Sequence, residues 1–109
     1  MTALQGYVEV EVVRKDGDRE AVTIPGSDFG LEEGGDWRRE DDAWSTGYIF
    51  IAFLDEYQVR LDLNVVDDSV TLRRMSTEIK DFDEVKSVKV IEDELDVSYC
   101  LHSEATEDD

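Results

Sequence analysis

The chain has one cysteine, one proline and one histidine in 109 residues, and only 11 lysines and arginines to set against 29 acids. Each scarcity excludes something. A lone Cys100 forms neither an internal disulfide nor a multi-cysteine metal cluster, so nothing calls for an oxidising compartment and the cytoplasm is the expected location. A net charge of −18 repels nucleic acid and anionic membrane surfaces alike, which leaves cationic macromolecules as the expected partners. The longest apolar run, residues 48–54, is the size of a strand and far short of the ~20 residues a membrane-spanning helix needs. Residues 1–6 lack the basic start and apolar stretch of a signal peptide.

Catalytic and metal-binding sets are also missing. Cys100 and His102 stand two apart and would share one face of a strand, but no orienting third group or oxyanion hole accompanies them. Asp16-Gly17-Asp18 opens like a calcium loop, yet Ala21 stands where the turn needs glycine and Ser27 where a bidentate glutamate belongs. Gly34 and Gly35 precede Asp36, which would repel a phosphate. The expectation is a protein that is not an enzyme and takes no metal or cofactor.

What is present is enough to fold. Apolar residues make up 40% of the chain, with four Phe, four Tyr and two Trp, and 109 residues suit one core. We expect one acidic β-rich domain over residues 1–102 and a flexible acidic tail at 103–109, where no large apolar residue occurs.

The strand signals are strong in two places. Residues 7–13 alternate valine with glutamate, and pairing them with residues 20–24 tests the turn. A two-residue loop mixes the faces. A three-residue loop with Gly17 in the left-handed position sets Val8 opposite Ile24, Val10 opposite Val22 and Arg14 opposite Asp18. Residues 48–54 and 57–65 form a second hairpin, with Tyr48, Phe50 and Ala52 opposite Leu63, Leu61 and Val59. Its other face sets Ile49, Ile51 and Phe53 beside Gln58, Arg60 and Asp62, so a loop, a helix or a partner is needed to cover three apolar side chains.

Elsewhere the pattern is weaker. Residues 27–47 read as a long loop, with a short helical turn near 37–43. Residues 70–75 read as a fifth strand, and 76–85 carry a faint helical spacing. Residues 87–101 read as a hairpin turning at Asp93-Glu94, with an amphipathic helix as the competing pattern. The expected fold is therefore mainly β, or α+β: an antiparallel meander of about 6–7 strands, a sandwich or curled sheet, with at most one short helix.

The acids are clustered. Residues 25–47 hold seven, Asp28, Glu32, Glu33, Asp36, Glu40, Asp41 and Asp42, against Arg38 and Arg39; residues 92–109 hold eight against no base. Folding gains nothing from such crowding, so it points to use in binding, with solubility as the plainer explanation. In the first cluster Trp37 and Trp44 flank the charges, combining aromatic anchors with steering acids, so these nine residues form the expected partner-binding site. Either indole could instead fold back as satellite core. In general profile the chain resembles immunity proteins, bacterial toxin inhibitors that occlude a basic toxin or nuclease domain, although no motif carries that likeness. A nucleic-acid mimic acting on a defence enzyme, and an adaptor domain, are the alternatives.

Overall fold

The computed structural model describes residues 4–101, the Tyr99 side chain excepted. Eight strands run through it: β1 (Gln5–Arg14), β2 (Arg19–Pro25), β3 (Gly30–Gly34), β4 (Arg38–Glu40), β5 (Ala43–Phe53), β6 (Tyr57–Val66), β7 (Ser69–Ile79) and β8 (Val85–Asp96). Two 3₁₀ turns, Gly26–Asp28 and Ser98–Leu101, are the helical elements among the described residues, and no helix there is long and apolar enough to cross a membrane.

All pairing is antiparallel, in two sheets of order β2-β1-β8 and β3-β5-β6-β7, with β4 also on β5. The inner faces of both sheets feed one core. Val8, Val10 and Val12 of β1 enter it from one side, and Val59, Leu61, Leu63 and Val65 of β6 from the other. β6 alternates buried and half-buried residues along its whole length, the period of two that a half-covered strand requires. Each such side chain contributes about 1.5–3 kcal/mol by leaving water.

The two strong hairpins form as their patterns require. Val8 faces Ile24 and Val10 faces Val22; Gly17 has φ +97°, and the Arg14 amide donates to the Asp18 carbonyl at 2.8 Å. Phe50 faces Leu61, and Ile51 faces Arg60.

Three segments differ from expectation. Residues 27–47 are not a loop with a helical turn: β3 and β4 both pair with β5, so backbone groups that a polar loop would leave to water enter a ladder. Residues 76–79 continue β7 rather than starting a helix, because Tyr57 to Arg60 of β6 offer partners as far as Ile79. Residues 87–101 do not fold back on themselves. β8 is one long strand along β1, ending in the 3₁₀ turn, so the architecture is two sheets and not a plain meander. The expected tail at 103–109 lies outside the described residues.

β7 and β8 close the gap between the sheets by side chains instead of a ladder. Thr77 Oγ1 donates to the Val88 carbonyl at 2.8 Å, and Arg73 Nη2 donates to the Leu95 carbonyl at 2.9 Å and to Asp93 Oδ1 at 2.8 Å. At the far end Arg14 of β1 grips the β5–β6 turn, donating to both Glu56 oxygens at 2.9 and 3.0 Å and to Glu20 at 2.8 Å. Beside them the Tyr57 hydroxyl is buried with no hydrogen-bond partner among the described residues, and burial pushes its pKa up.

Hydrogen bonds from Arg14 hold the Glu56 carboxyl below the usual carboxylate range. A depressed folded-state pKa means that the clamp stabilises fully above the unfolded value, near 4.5, and is lost as pH falls from there through the folded value. Acidification also relieves repulsion among the other acids, so the observable is a difference. The urea midpoint of wild type should exceed that of Glu56→Gln at pH 7, and the gap should close below about pH 4.5. A gap independent of pH would remove the ion pair as its cause.

Candidate functional site

The nine acidic and aromatic residues of segment 25–47 are spread over three places. Asp28 ends the first 3₁₀ turn, next to β3, whose Gly30 pairs with Ile51. The tip of the β4–β5 hairpin lies eight residues of β5 away, about 27 Å along an extended strand, so Asp28 does not belong with it. Glu32 sits at the bulge where β3 shifts register between Leu31 and Glu33.

The other residues gather around the hairpin, divided between its faces. Arg38 pairs with Ser45, Arg39 with Trp44 and Glu40 with Ala43. Alternation then puts Arg38 and Glu40 on the outer face of the five-stranded sheet, with Ser45 and Gly47. Arg39 and Trp44 share the inner side with Thr46. The Arg39 guanidinium lies 6.0 Å from the Trp44 ring centroid and 3.2 Å from Asp42. Trp37 is half-buried against the core, so one indole does serve as satellite packing.

Asp67, in the β6–β7 turn, fixes the hairpin's root. Its carboxylate accepts from the Trp44 amide at 3.0 Å while its own amide donates to the Trp44 carbonyl. Thr46, buried, donates through its hydroxyl to the Asp36 carbonyl at 2.9 Å. The acids at the tip therefore stand on an anchored ribbon.

The tip itself is Asp41-Asp42, with φ values of +49° and +64°. Two positive φ values mark the mirror-image hairpin turn, which prefers Asn-Gly. Here two adjacent carboxylates occupy it, and the Asp42 side chain is 95% exposed. Asp41→Asn combined with Asp42→Gly should therefore stabilise the protein by about 0.5–1 kcal/mol, seen as a higher thermal midpoint. A lower midpoint would mean that the acids help hold the turn.

Two grooves flank the hairpin on the outer face. One, of about 390 Å³, is bordered by Glu33, Asp36, Arg38 and Glu40; the other, of about 380 Å³, by Tyr48, Ile49, Asp62 and Leu72. A third, of about 510 Å³, surrounds Arg60, Asp62 and Arg74. Arg60 donates to Asp62 at 2.9 Å, and Arg74 lies 3.7 Å from it, so these charges satisfy one another. The long segment leaves Ile49 and Ile51 half-buried and Phe53 57% exposed, with the Lys80 ammonium 4.8 Å from the Phe53 ring centroid.

A second acidic surface was not legible as such. Because β8 runs along β1, Glu92 comes directly opposite Glu9 and Glu94 opposite Tyr7, on the outer face of the three-stranded sheet. Like charges so placed destabilise a sheet. The Tyr7 hydroxyl donates to Glu92, and that bond, then burial, then the charges of Glu92, Glu94 and Glu9, push the phenol up to about 12. The Val-Glu alternation of β1 was the available signal, since it places Glu9 and Glu11 on one face. Asp93 is spent on Arg73.

Cys100 is buried, in keeping with a packed thiol, while His102 lies outside the described residues. Among the described residues no three His, Cys, Asp or Glu side chains are grouped to hold a metal ion. Comparison with known proteins yields no match, whether to a family model, a curated protein or a solved structure.

Proposed function

We propose that the protein is a non-catalytic inhibitor of a cationic macromolecule, in concrete form an immunity protein. It would act in the bacterial cytoplasm, covering the substrate cleft of a basic toxin domain such as a nuclease. The observation that carries this reading is the β4–β5 hairpin tip. Glu40, Asp41 and Asp42 are exposed and carry like charge, and Asp41 and Asp42 occupy the two turn positions that the fold would fill better with Asn-Gly. Strain and repulsion kept at an exposed site on an anchored ribbon support a role in contact.

The mechanism follows from charge. A cleft that binds phosphate is lined with lysine and arginine, and an acidic projection is drawn to it from beyond contact distance. Trp44 beside the tip offers apolar area for the final desolvated contact. The array of Glu9, Glu92 and Glu94 on the opposite sheet favours a second reading, a mimic that presents carboxylates in regular rows to a nucleic-acid-binding enzyme.

The experiment is co-expression with the product of the adjoining reading frame. The expected result is rescue of growth and a complex that survives size-exclusion chromatography. Neither rescue nor complex would remove the immunity reading. Competition with duplex DNA for several unrelated basic proteins would favour the mimic instead.

A further inference from the structure

Gly47 lies inside β5, where glycine gives up packing and loses more chain entropy on folding than any other residue. The fold does not require it. Its φ is outside the left-handed region, and a methyl group there would come no nearer than 3.7 Å to the Leu63 carbonyl and 3.9 Å to Asn64 Oδ1. A strand glycine often marks a bulge or a close approach by another backbone or a ligand. The Gly35 amide meets the Gly47 carbonyl in the plane of the sheet, which leaves the space above Gly47 for something from outside.

What lies above Gly47 indicates the kind of visitor. Gly47 forms part of both grooves beside the hairpin, which also share Glu33, Gly34 and Asn64. Toward β7 the groove is walled by Ile49, half-buried, and Leu72, 48% exposed, with Asp62 between them already paired with Arg60. On the β3 side stand Glu33, beside Ile49, and Asp36, next to Gly35, whose amide donates to the Gly47 carbonyl; neither carboxylate forms a salt bridge among the described residues, and Arg38 and Glu40 lie further toward the hairpin tip. An apolar trough leading to carboxylates fits a long aliphatic stem with a cationic head.

Resting on the reading that the partner is cationic, we infer that the groove over Gly47 is the anchoring subsite for an arginine side chain of that partner. The stem lies across Gly47 between Ile49 and Leu72, and the guanidinium meets Glu33 and Asp36. Arginine suits it better than lysine, because the planar guanidinium is more weakly hydrated, stacks flat on a surface without side chains, and pairs with carboxylates through two hydrogen bonds.

The test is a titration of the ¹⁵N-labelled protein with the acetylated, amidated tripeptide Gly-Arg-Gly, followed by amide chemical shifts. Versions with lysine, and with citrulline as the uncharged isostere, serve as comparisons. The arginine peptide should move the Gly34, Gly47 and Asn64 amides saturably, the lysine peptide should bind several-fold more weakly, and the citrulline peptide should leave these amides in place. Gly47→Val should lower the affinity at least tenfold, and Gly47→Ala, whose methyl group makes only ordinary van der Waals contacts, by a smaller factor with the thermal midpoint kept. Equal affinity in both variants would overturn the subsite, as would shifts confined to the hairpin tip or to Glu9 and Glu92. Concentration-dependent shifts at Gly47 without peptide would also overturn it, by assigning the groove to a second copy of this chain. The two proposals fail separately. A Gly47→Val protein that still binds its basic partner at full strength refutes the anchor alone, whereas a peptide that binds at Gly47 when no basic protein does refutes the inhibitor alone.

Discussion

Gly34→Ala should destabilise the protein by about 3 kcal/mol or more, the largest stability change expected of any single methyl group near the site. Gly34 has φ +111°, and a Cβ there would stand 1.9 Å from the Gly47 carbonyl oxygen and 2.8 Å from the Tyr48 Cα. Those atoms are backbone and cannot rotate aside, so β3 would have to leave β5. For a domain of this size the thermal midpoint should fall by about 12–24 °C. Gly35→Ala provides the comparison: its φ is +93°, but its Cβ would meet only the Tyr48 ring, at 3.5 Å, so its cost is torsional and smaller. A Gly34→Ala protein that melts close to wild type would show that β3 does not lie against Gly47, and would remove Glu33 from the groove with it.

The dependence of β3 on that close approach also explains why the sequence hid it. All five β3 residues are exposed, and β4 has only three residues, so neither carries the alternation that burial imposes on a strand. Both exist because β5 offers a free edge, which is information held in another part of the chain. β8 illustrates the same limit differently. Its valines fit a hairpin with Val97 and Tyr99 as well as they fit β1, and local periodicity does not choose between a near partner and one about 80 residues back. By contrast, the registers of the β1–β2 and β5–β6 hairpins were legible, because their partners are adjacent and one register alone brings the apolar residues of both strands onto one face; that β5 begins at Ala43 was not, since residues 43–47 read as loop. The candidate site shares this split. The excess of acid and the presence of two indoles could be read directly, but the faces they occupy depend on pairings that could not. Trp37 went to the core, Asp28 to the far end of β5, and Glu92 and Glu94 to a surface shared with Glu9.

Glu40→Gln, Asp41→Asn and Asp42→Asn made together should slow association with the cationic partner by about tenfold or more at low salt, within the 10–10³ range of electrostatic steering. The fold should survive, since asparagine takes positive φ at least as readily as aspartate and the ladder from Arg38 to Glu40 is untouched. Solvent-exposed charges contribute little to binding strength through direct pairing, typically about 0.2–1 kcal/mol each, so the effect belongs mainly to the on-rate. Dissociation should change less. Stopped-flow measurement across ionic strength separates the two: the wild-type rate should fall steeply as salt is added, the variant's more gently, and the curves should converge near 1 M, where screening reaches only about 3 Å. The second acidic surface makes the outcome decisive. If Glu9→Gln, Glu92→Gln and Glu94→Gln slow association while the hairpin variant does not, the partner docks on the three-stranded sheet. The strain at Asp41 and Asp42 then has no part in binding. If the hairpin variant alone is slowed, steering originates at the tip, beside the groove that holds Gly47, and the two acidic faces have separate duties.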